Sequence, residues 1–346
     1  MKKKCLSVLA MIIPMLLVAC SSGEEPNNNN NNDNTPPEEK PTEMQYLLDS
    51  TFKEGFIVSP ASGTRWDDGW FPEDRWTRDV TLTYGDQPQT PCWCVAQHGD
   101  LYSLCDKYNK FAGGVPELTD DGYYWFYDES KVLAPNPTKG SLYIELNTSK
   151  EYPRDRRGGE AWCHILLSQG FKDACRLKEV DSVVFTIDLL LKKWEDHQYE
   201  PADVNTHATQ FLMYIVMKSE AAGDTNDYFW FGIPFFDNRY PNGLPEGGMV
   251  DAGGAGGTGK YMYGMESAEY LPGGLKLNQL GQVNIDLLPY FGAALLKCQR
   301  AGFFTNSTIN DLTFQSMNIG FEIPGTYDCG IEISNFSLTS HFKQAE

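Results

Sequence analysis

The chain has 346 residues, a formal net charge of -19 and 13% aromatic residues. A surface this acidic repels nucleic acid and anionic lipid headgroups, which excludes nucleic-acid binding as the main function. The high aromatic content suggests that some of these rings lie on a working surface.

The N-terminus predicts a lipoprotein signal peptide over residues 1–19. It begins with three lysines, continues through a short apolar run and stops before Cys20. The run is shorter than the roughly 20 residues that cross a bilayer, and its charged start is typical of a secretory signal. The sequence LVAC resembles the lipobox of bacterial lipoproteins, which implies lipidation, with palmitate among the acyl chains, at Cys20. An ordinary cleaved signal is the alternative.

Residues 20–45 are predicted to be a disordered tether, since Asn, Pro and Glu cannot bury enough apolar area to fold. Ser21 after the cysteine, and the acidic SSGEE stretch, resemble lipoproteins displayed by glycan-degrading Gram-negative bacteria. The resemblance implies a lipid-anchored protein of the outer membrane that faces the cell exterior. It also implies a polysaccharide-utilisation role beside other glycan-uptake proteins.

Seven cysteines remain after the signal and Cys20, at positions 92, 94, 105, 163, 175, 298 and 329. An odd number leaves at least one thiol unpaired within the chain. The spacing of Cys92 and Cys94 lacks the second pair of ligands that a zinc site requires. We expect buried thiols, with one or two disulfides as the alternative.

Residues 46–346 are predicted to form one all-β domain, an antiparallel β-sandwich of jelly-roll type with one or two short helices. Alternating apolar residues separated by Gly, Pro, Asn and Asp turns predict strands. The predicted core-facing sets are Leu142, Ile144 and Leu146; Phe185, Ile187, Leu189 and Leu191; Ile319, Phe321 and Ile323; and Ile331 and Ile333. The segment TQFLMYIVMKS is apolar on both faces and is expected in the middle of a sheet.

One helix is predicted over DLLPYFGAALLKCQR, with Asp286 as its N-cap and Gly302 just beyond its end. Leu288, Phe291 and Leu295 follow helical spacing.

Several common site motifs are absent. The segment GAGGTGK ends in Tyr261 where a phosphate-binding loop needs Ser or Thr, so GGMVDAGGAGGTGK is interpreted as a mobile surface loop. No HExxH, GxSxG or EF-hand pattern occurs, and no strand offers an obvious pair of carboxylates for retaining glycoside hydrolysis. Neither a cofactor nor a metal is predicted, with structural calcium at the Asp67-Asp68-Gly69 and Asp120-Asp121-Gly122 turns left open.

Two strands carry candidate ligand-binding residues. In RRGGEAWCHILLSQ, alternation places Glu160, Trp162 and His164 on one face. An indole stacks on the C–H face of a sugar, while carboxylate and imidazole bind hydroxyls, so this face suits a carbohydrate. The alternative is that Trp162 and His164 are core residues.

The second strand is DYFWFGIPFFDNRYPNG. One face is a core set, while Tyr228, Trp230, Gly232 and Pro234 form a flat aromatic face beside a gap, where the glycine marks close approach by a ligand or by another backbone segment. Asp237 and Arg239 follow where the strand ends, as ligand-binding groups or as an ion pair that stabilises the turn.

The sequence YFWFGIP resembles a conserved strand of jelly-roll alginate lyases, although Trp230 replaces the family's lysine and Pro234 replaces its catalytic tyrosine. Those enzymes also use an arginine-rich strand and a strand with Gln and His. Arg156, Arg157 and Glu160 correspond to the former, and His207 with Gln210 to the latter. The resemblance implies a sandwich fold and a carbohydrate ligand.

Three functional hypotheses follow. The first is a surface lipoprotein that binds an extended polysaccharide through Trp162, Trp230, Tyr228 and their polar neighbours. The second is a polysaccharide lyase or glycoside hydrolase on the same fold, and the third is a structural protein whose aromatic residues are all core. For the lyase, the candidate residues are His164 or His207 as base, Tyr214 or Tyr240 as acid, and Arg156, Arg239 or Gln210 to neutralise a uronate. Convergence of these groups in one cleft favours the enzyme, and a flat row of indoles favours binding.

Overall fold

A computed structural model describes residues 41–62, 75–86, 88–109, 114–199, 203–204, 206–251 and 257–344. The predicted signal peptide, most of the tether and the Asp67-Asp68-Gly69 turn lie outside the described residues. Cys20 does as well.

Strands dominate the described residues. In chain order they are β1 (Glu43–Gln45), β2 (Phe56–Val58), β3 (Val80–Leu82), β4 (Trp93–His98), β5 (Glu117–Leu118), β6 (Tyr124–Tyr127), β7 (Lys131–Asn136), β8 (Ser141–Asn147), β9 (Cys163–Arg176), β10 (Val180–Asp196), β11 (Gln210–Ser219), β12 (Tyr228–Asp237), β13 (Gly247–Val250), β14 (Tyr261–Gly264), β15 (Leu280–Asp286), β16 (Leu312–Ile323) and β17 (Tyr327–Phe342). The helices are α1 (Leu104–Tyr108), α2 (Thr148–Glu151) and α3 (Leu288–Arg300). Within the described residues, no helix combines the length and apolar composition needed to cross a membrane.

The strands form two sheets. The eight-stranded sheet runs β15-β10-β17-β8-β7-β6-β5, with β1 also paired to β17. The nine-stranded sheet runs β13-β14-β12-β11-β16-β9-β4-β2-β3. Pairing is antiparallel except between β12 and β14 and between β2 and β4. The chain changes sheet at each step from β8 to β11 and again from β15 to β17, which is the exchange between layers expected of a jelly roll. The predicted fold class is confirmed.

The core lies between the sheets and follows the predicted alternation. The apolar sets predicted on β8, β10, β16 and β17 are all buried. The segment predicted to be central, β11, lies between β12 and β16. These strands hold together because each buries one complete apolar face against the opposite sheet.

Helix α3 begins two residues later than its predicted cap. Asp286 is the last residue of β15, and its Oδ1 accepts hydrogen bonds from the backbone N–H groups of Val183 and Leu288 at 2.9 and 3.0 Å. Leu287 holds the cap position instead, and Gly302 follows the end of the helix at a φ of 89°. The helix is as predicted, but the carboxylate of Asp286 also closes the junction with β10.

The seven cysteines are all free thiols in the described residues, so the alternative of one or two disulfides is wrong there. Five are buried, and Cys92 and Cys94 are partly exposed. Burial raises the pKa of Cys105 and of Cys298 to about 12, so these thiols stay protonated.

A buried ion cluster lies beside α2. The ammonium of Lys131, with a fully buried side chain, lies 3.1 Å from Glu151 Oε1, 3.4 Å from Asp128 Oδ2 and 3.7 Å from Asp100 Oδ2. Burial opposes the charge, but the three carboxylates outweigh it and raise the pKa of Lys131. The cluster joins the start of β7 to α2 and to the loop after β4.

Candidate functional site

A row of polar side chains crosses the nine-stranded sheet on its outer face, the face turned away from the eight-stranded sheet. Alternation sends every second residue of each strand to this face, and the register aligns those residues across neighbouring strands. We call this set the polar row, and its members from β12 to the segment beside β4 are Asp237, Gln210, Glu322, His164, His98 and Ser62.

Glu322 lies at the centre of the polar row and is only 3% exposed. Its nearest charged or titratable partner is His164, whose Nε2 lies 4.0 Å from Oε2. No hydrogen bond reaches its carboxyl group from any described side chain. Burial, and then the negative charge of Asp251, raise the pKa of Glu322 to about 7. At neutral pH this carboxyl group is therefore protonated in about half of the molecules.

His164 is held neutral beside it. Its Nε2 accepts a hydrogen bond from Trp162 Nε1 at 2.5 Å, and its Nδ1 donates to the carbonyl of Trp162 at 2.8 Å. Burial, and then the neighbouring His98, lower the pKa of His164 to about 3. The two hydrogen bonds fix one tautomer and leave Nε2 occupied, so His164 does not form an ion pair with Glu322.

Asp251 supplies a second carboxylate to the same region. It follows β13, where its backbone N–H donates to Lys260 and its carbonyl accepts from Gly259. Its Oδ2 accepts two hydrogen bonds from Thr258, at 2.7 and 2.8 Å. Its Oδ1 is buried without a hydrogen-bond partner among the described residues. A buried, half-satisfied carboxylate is costly, and such groups occur where a ligand completes them.

An aromatic cluster reaches the polar row at Trp162, which donates a hydrogen bond to His164. It is separate from the main core and is formed by Trp162, Trp230 and Met262, with Tyr214, Val216, Tyr228 and Met249 packed against them. Trp230 meets Tyr214 and Tyr228 edge to face, with ring centroids 5.8 and 5.3 Å apart. Its Nε1 is buried without a hydrogen-bond partner in the part of the chain that the structure describes.

Tyr214 is influenced by both carboxyl groups. Burial, followed by the charges of Glu322 and Asp251, raises the pKa of its phenol well above the ordinary value.

The gap that the sequence predicted at Gly232 is filled by protein. A Cβ atom there would lie 2.8 Å from Tyr214 Cε1 and 2.8 Å from the carbonyl oxygen of Tyr263. Gly232 therefore permits the close approach of the Tyr214 ring and of the Tyr263 backbone, which is the backbone alternative predicted for this glycine and not the ligand.

The residues predicted for a lyase do not converge. Arg156 stacks on Trp162, but its donors go to the backbone carbonyls of Pro324, Arg157, Glu160 and Thr206. His207 donates through Nε2 to the carbonyl of Arg156 at 2.7 Å. Both side chains brace the loop before β9, so Arg156 and His207 are corrected from catalytic candidates to structural groups.

Other predicted residues also have partners. Glu160 pairs with Arg154 at 2.6 Å and lies before β9 rather than in the polar row, which corrects its predicted place beside Trp162 and His164. Arg239 binds both oxygens of Asp237, at 2.5 and 2.9 Å, as the turn-stabilising ion pair. Its guanidinium lies 5.8 Å from the ring of Tyr240.

Gln210 donates to Asp237 Oδ2 at 3.0 Å, the same oxygen that Arg239 Nη2 binds. Tyr228 is partly exposed, with the ammonium of Lys260 5.2 Å from its ring. Of the residues predicted from the sequence, the structure therefore brings together Trp162, His164, Tyr228 and Trp230, and places Gln210 in the same row as Glu322.

The two carboxyl residues were missed in the sequence. Asp251 lies in the glycine-rich segment interpreted as a mobile loop, but Gly247–Val250 is strand β13 and Asp251 is buried, so that interpretation is wrong for these residues. Glu322 alternates with the core residues Phe321 and Ile323, which was the available signal. A charged residue on a strand between two predicted core residues marks the opposite face of the sheet.

Two clusters have metal-ligand spacing in the described residues. Asp100, Glu151 and Cys163 lie together, but the ammonium of Lys131 already pairs with both carboxylates. Glu195, His197 and Asp328 form a largely exposed group on the eight-stranded sheet. Neither contributes to the site described above.

No protein-family model matches the chain, and no curated protein matches it. Among solved structures, a family 12 xyloglucanase from Bacillus licheniformis is 12% identical, with 65% of this chain and 97% of that chain covered at a TM-score of 0.37. A cellulase derived from that of Rhodothermus marinus is 12% identical, with coverage of 66% and 96% and a TM-score of 0.35. The family 11 xylanase from Neocallimastix patriciarum is 8% identical, with coverage of 66% and 95% and a TM-score of 0.33. These jelly-roll glycoside hydrolases are distant likenesses.

Proposed function

We propose that this protein hydrolyses a polysaccharide on the outer face of the nine-stranded sheet. Glu322 donates a proton to the leaving glycosidic oxygen, and Asp251 is the second carboxylate of the reaction. The observation that carries the proposal is the carboxyl group of Glu322, which is buried, lacks a hydrogen-bond partner among the described residues and has a pKa of about 7. A general acid must hold its proton at the working pH and release it to the substrate, and a raised carboxyl pKa serves both needs.

The second carboxylate completes the chemistry of glycoside hydrolysis, which pairs an acid with a carboxylate that acts as base or nucleophile. Asp251 is fixed by Thr258 through Oδ2, while Oδ1 has no described partner. That free oxygen is available to a water molecule or a sugar carbon. A negatively charged Asp251 favours the protonated form of Glu322. This electrostatic effect suits Glu322 to the role of acid and Asp251 to the role of carboxylate.

The surroundings suit a sugar chain. Four strand spacings separate the first and last strands of the polar row, a span of about 20 Å, which accommodates a short oligosaccharide laid across the strands. Tyr214 and Tyr228 offer partly exposed rings beside it, and Gln210 and Ser62 offer hydrogen-bonding groups. Aromatic faces with a few fixed polar groups are the usual lining of a ligand site.

Glycan capture without cleavage is the second candidate. The observation that favours it is the low exposure of Glu322 and Asp251, at 3% and 2%, which is little for groups that must meet a glycosidic bond. In that case the partly exposed Tyr214 and Tyr228 would hold the chain.

The test incubates the full-length protein, in detergent, with neutral and acidic polysaccharides and analyses the products by chromatography. We expect saturated oligosaccharides from at least one glycan, with a rate at least about 100-fold lower for Asp251→Asn. Asp188→Asn, which changes an exposed carboxylate of the eight-stranded sheet, is the matched control and should keep the rate. Unsaturated products would make the protein a lyase, while retarded migration in glycan-containing gels without products would leave capture as its function.

We further propose that Cys20 anchors the protein in the outer membrane with the folded domain facing outward, beside other glycan-uptake proteins. The lipobox and the acidic tether support this placement, and two acyl chains suffice for stable anchoring. Cys20→Ser should lose metabolic labelling with palmitate and leave the membrane fraction. Retention of the label in that variant would refute lipidation at Cys20.

A further inference from the structure

The groups that face the site carry no positive charge among the described residues. Glu322 and Asp251 are carboxyl groups, and His164 is neutral because of its burial and its hydrogen bonds to Trp162. Tyr214 keeps its proton. At neutral and alkaline pH the charge of this set is therefore zero or negative.

Three of the cations around the site are committed to other partners. The N–H groups of Arg156 donate to backbone carbonyls. Arg239 is bound by both oxygens of Asp237, and Lys260 pairs with Asp227 at 2.6 Å. Recruiting any of them would break an ion pair or leave a buried carbonyl unpaired. A sugar carboxylate would meet Glu322 and Asp251 without a counter-ion.

The unsatisfied groups of the site match a ligand that both donates and accepts hydrogen bonds. Asp251 Oδ1 can only accept when ionised, and Trp230 Nε1 can only donate. A sugar hydroxyl can satisfy either one. A carboxylate could accept from Trp230, but it would leave Asp251 Oδ1 unpaired and add a like charge.

We propose that the site takes an uncharged polysaccharide and rejects sugar units that carry a carboxylate where they would lie beside Glu322 and Asp251. This inference rests on the proposed function, because it assigns a substrate class to the same site. It departs from the alginate-lyase resemblance, which implies a uronate.

The test measures binding of matched-length oligosaccharides, one set of neutral glucans and xylans and one set of oligouronates, to the full-length protein by calorimetry at pH 8 and low salt. We expect a neutral oligosaccharide to bind at least about tenfold more tightly than the uronates. High salt and Asp251→Asn should each reduce that ratio, because screening or removing the negative charge weakens the repulsion. Asp188→Asn is the control and should leave the ratio unchanged.

The outcomes separate the two proposals. Tightest binding of a uronate, or an equal affinity for both classes, would overturn the inference while leaving a glycan function in place. Binding of a neutral chain without cleavage would support the inference and refute hydrolysis. Binding of neither class would overturn both.

Discussion

Replacing Glu322 by glutamine is expected to lower the rate of polysaccharide hydrolysis by about 10²- to 10⁴-fold, the usual contribution of a general acid. Glutamine keeps the size of the side chain but has no proton to transfer. In the wild-type protein the rate should fall as the pH rises through about 7, where Glu322 loses its proton. The groups that face it are His164 from β9, Tyr214 from β11 and Asp251 after β13, and of these His164 and Tyr214 do not titrate near pH 7.

The same substitution should stabilise the fold at alkaline pH. The pKa of Glu322 is about 7 in the folded protein, against an ordinary value of 4.5. Ionisation is therefore disfavoured in the folded state, so stability falls as the pH rises from about 4.5 to 7 and stays low above it. This cost is up to about 3 kcal/mol, since each pKa unit corresponds to about 1.4 kcal/mol. Glutamine has no ionisable carboxyl group and avoids this cost. Denaturant unfolding at pH 8 should therefore give a higher free energy of unfolding for Glu322→Gln than for the wild type, and at pH 4 almost no difference.

Glu332→Gln is the matched control for Glu322→Gln. Burial opposes ionisation of Glu332, but its hydrogen bond from Tyr123 and its ion pair with Lys192 outweigh burial and lower its pKa. We expect this variant to keep the hydrolysis rate and to lose stability at pH 8, opposite to Glu322→Gln in both respects. A Glu322→Gln variant with the wild-type rate would show that another group is the proton donor.

Replacing Lys131 by methionine is expected to destabilise the fold by about 3–5 kcal/mol, the usual cost of removing one partner from a buried ion cluster. Asp100, Asp128 and Glu151 would then remain around an apolar side chain without the ammonium that lies 3.1–3.7 Å from them. Denaturant unfolding followed by circular dichroism at pH 7 measures the change.

Lys192→Met is the matched control for Lys131→Met. Its side chain is 40% exposed, and its ammonium pairs with Glu332 at 3.2 Å. The free energy of unfolding should therefore fall by no more than about 1 kcal/mol. A similarly small loss for Lys131→Met would show that the carboxyl groups around it take up protons instead of remaining charged. Part of the lost stability should return at low pH, where those carboxylates become protonated.

The strands and the core could be predicted from the sequence because their signal is local. Leu142 and Ile144, or Phe185 and Ile187, alternate with polar neighbours within one strand, and a strand with one apolar face must bury it. Gly247 and Gly248, shortly before Asp251, gave the opposite indication, since glycine-rich segments usually form loops. There the edge of a sheet provided backbone partners that composition alone does not reveal.

For the candidate site, the sequence predicted only which residues of one chain segment share a face of the sheet. Trp162 and His164 are two residues apart on one chain segment, so alternation alone places them on the same face. Glu322 meets His164 because β16 pairs with β9 in one particular register, and Asp251 influences Glu322 because a hairpin at the sheet edge holds it there. Sequence therefore determined which side chains leave the core, whereas long-range strand pairing decided which of them meet. Burial in the folded protein then set the pKa of Glu322, because desolvation depends on everything packed around a group and not only on its neighbours in the chain.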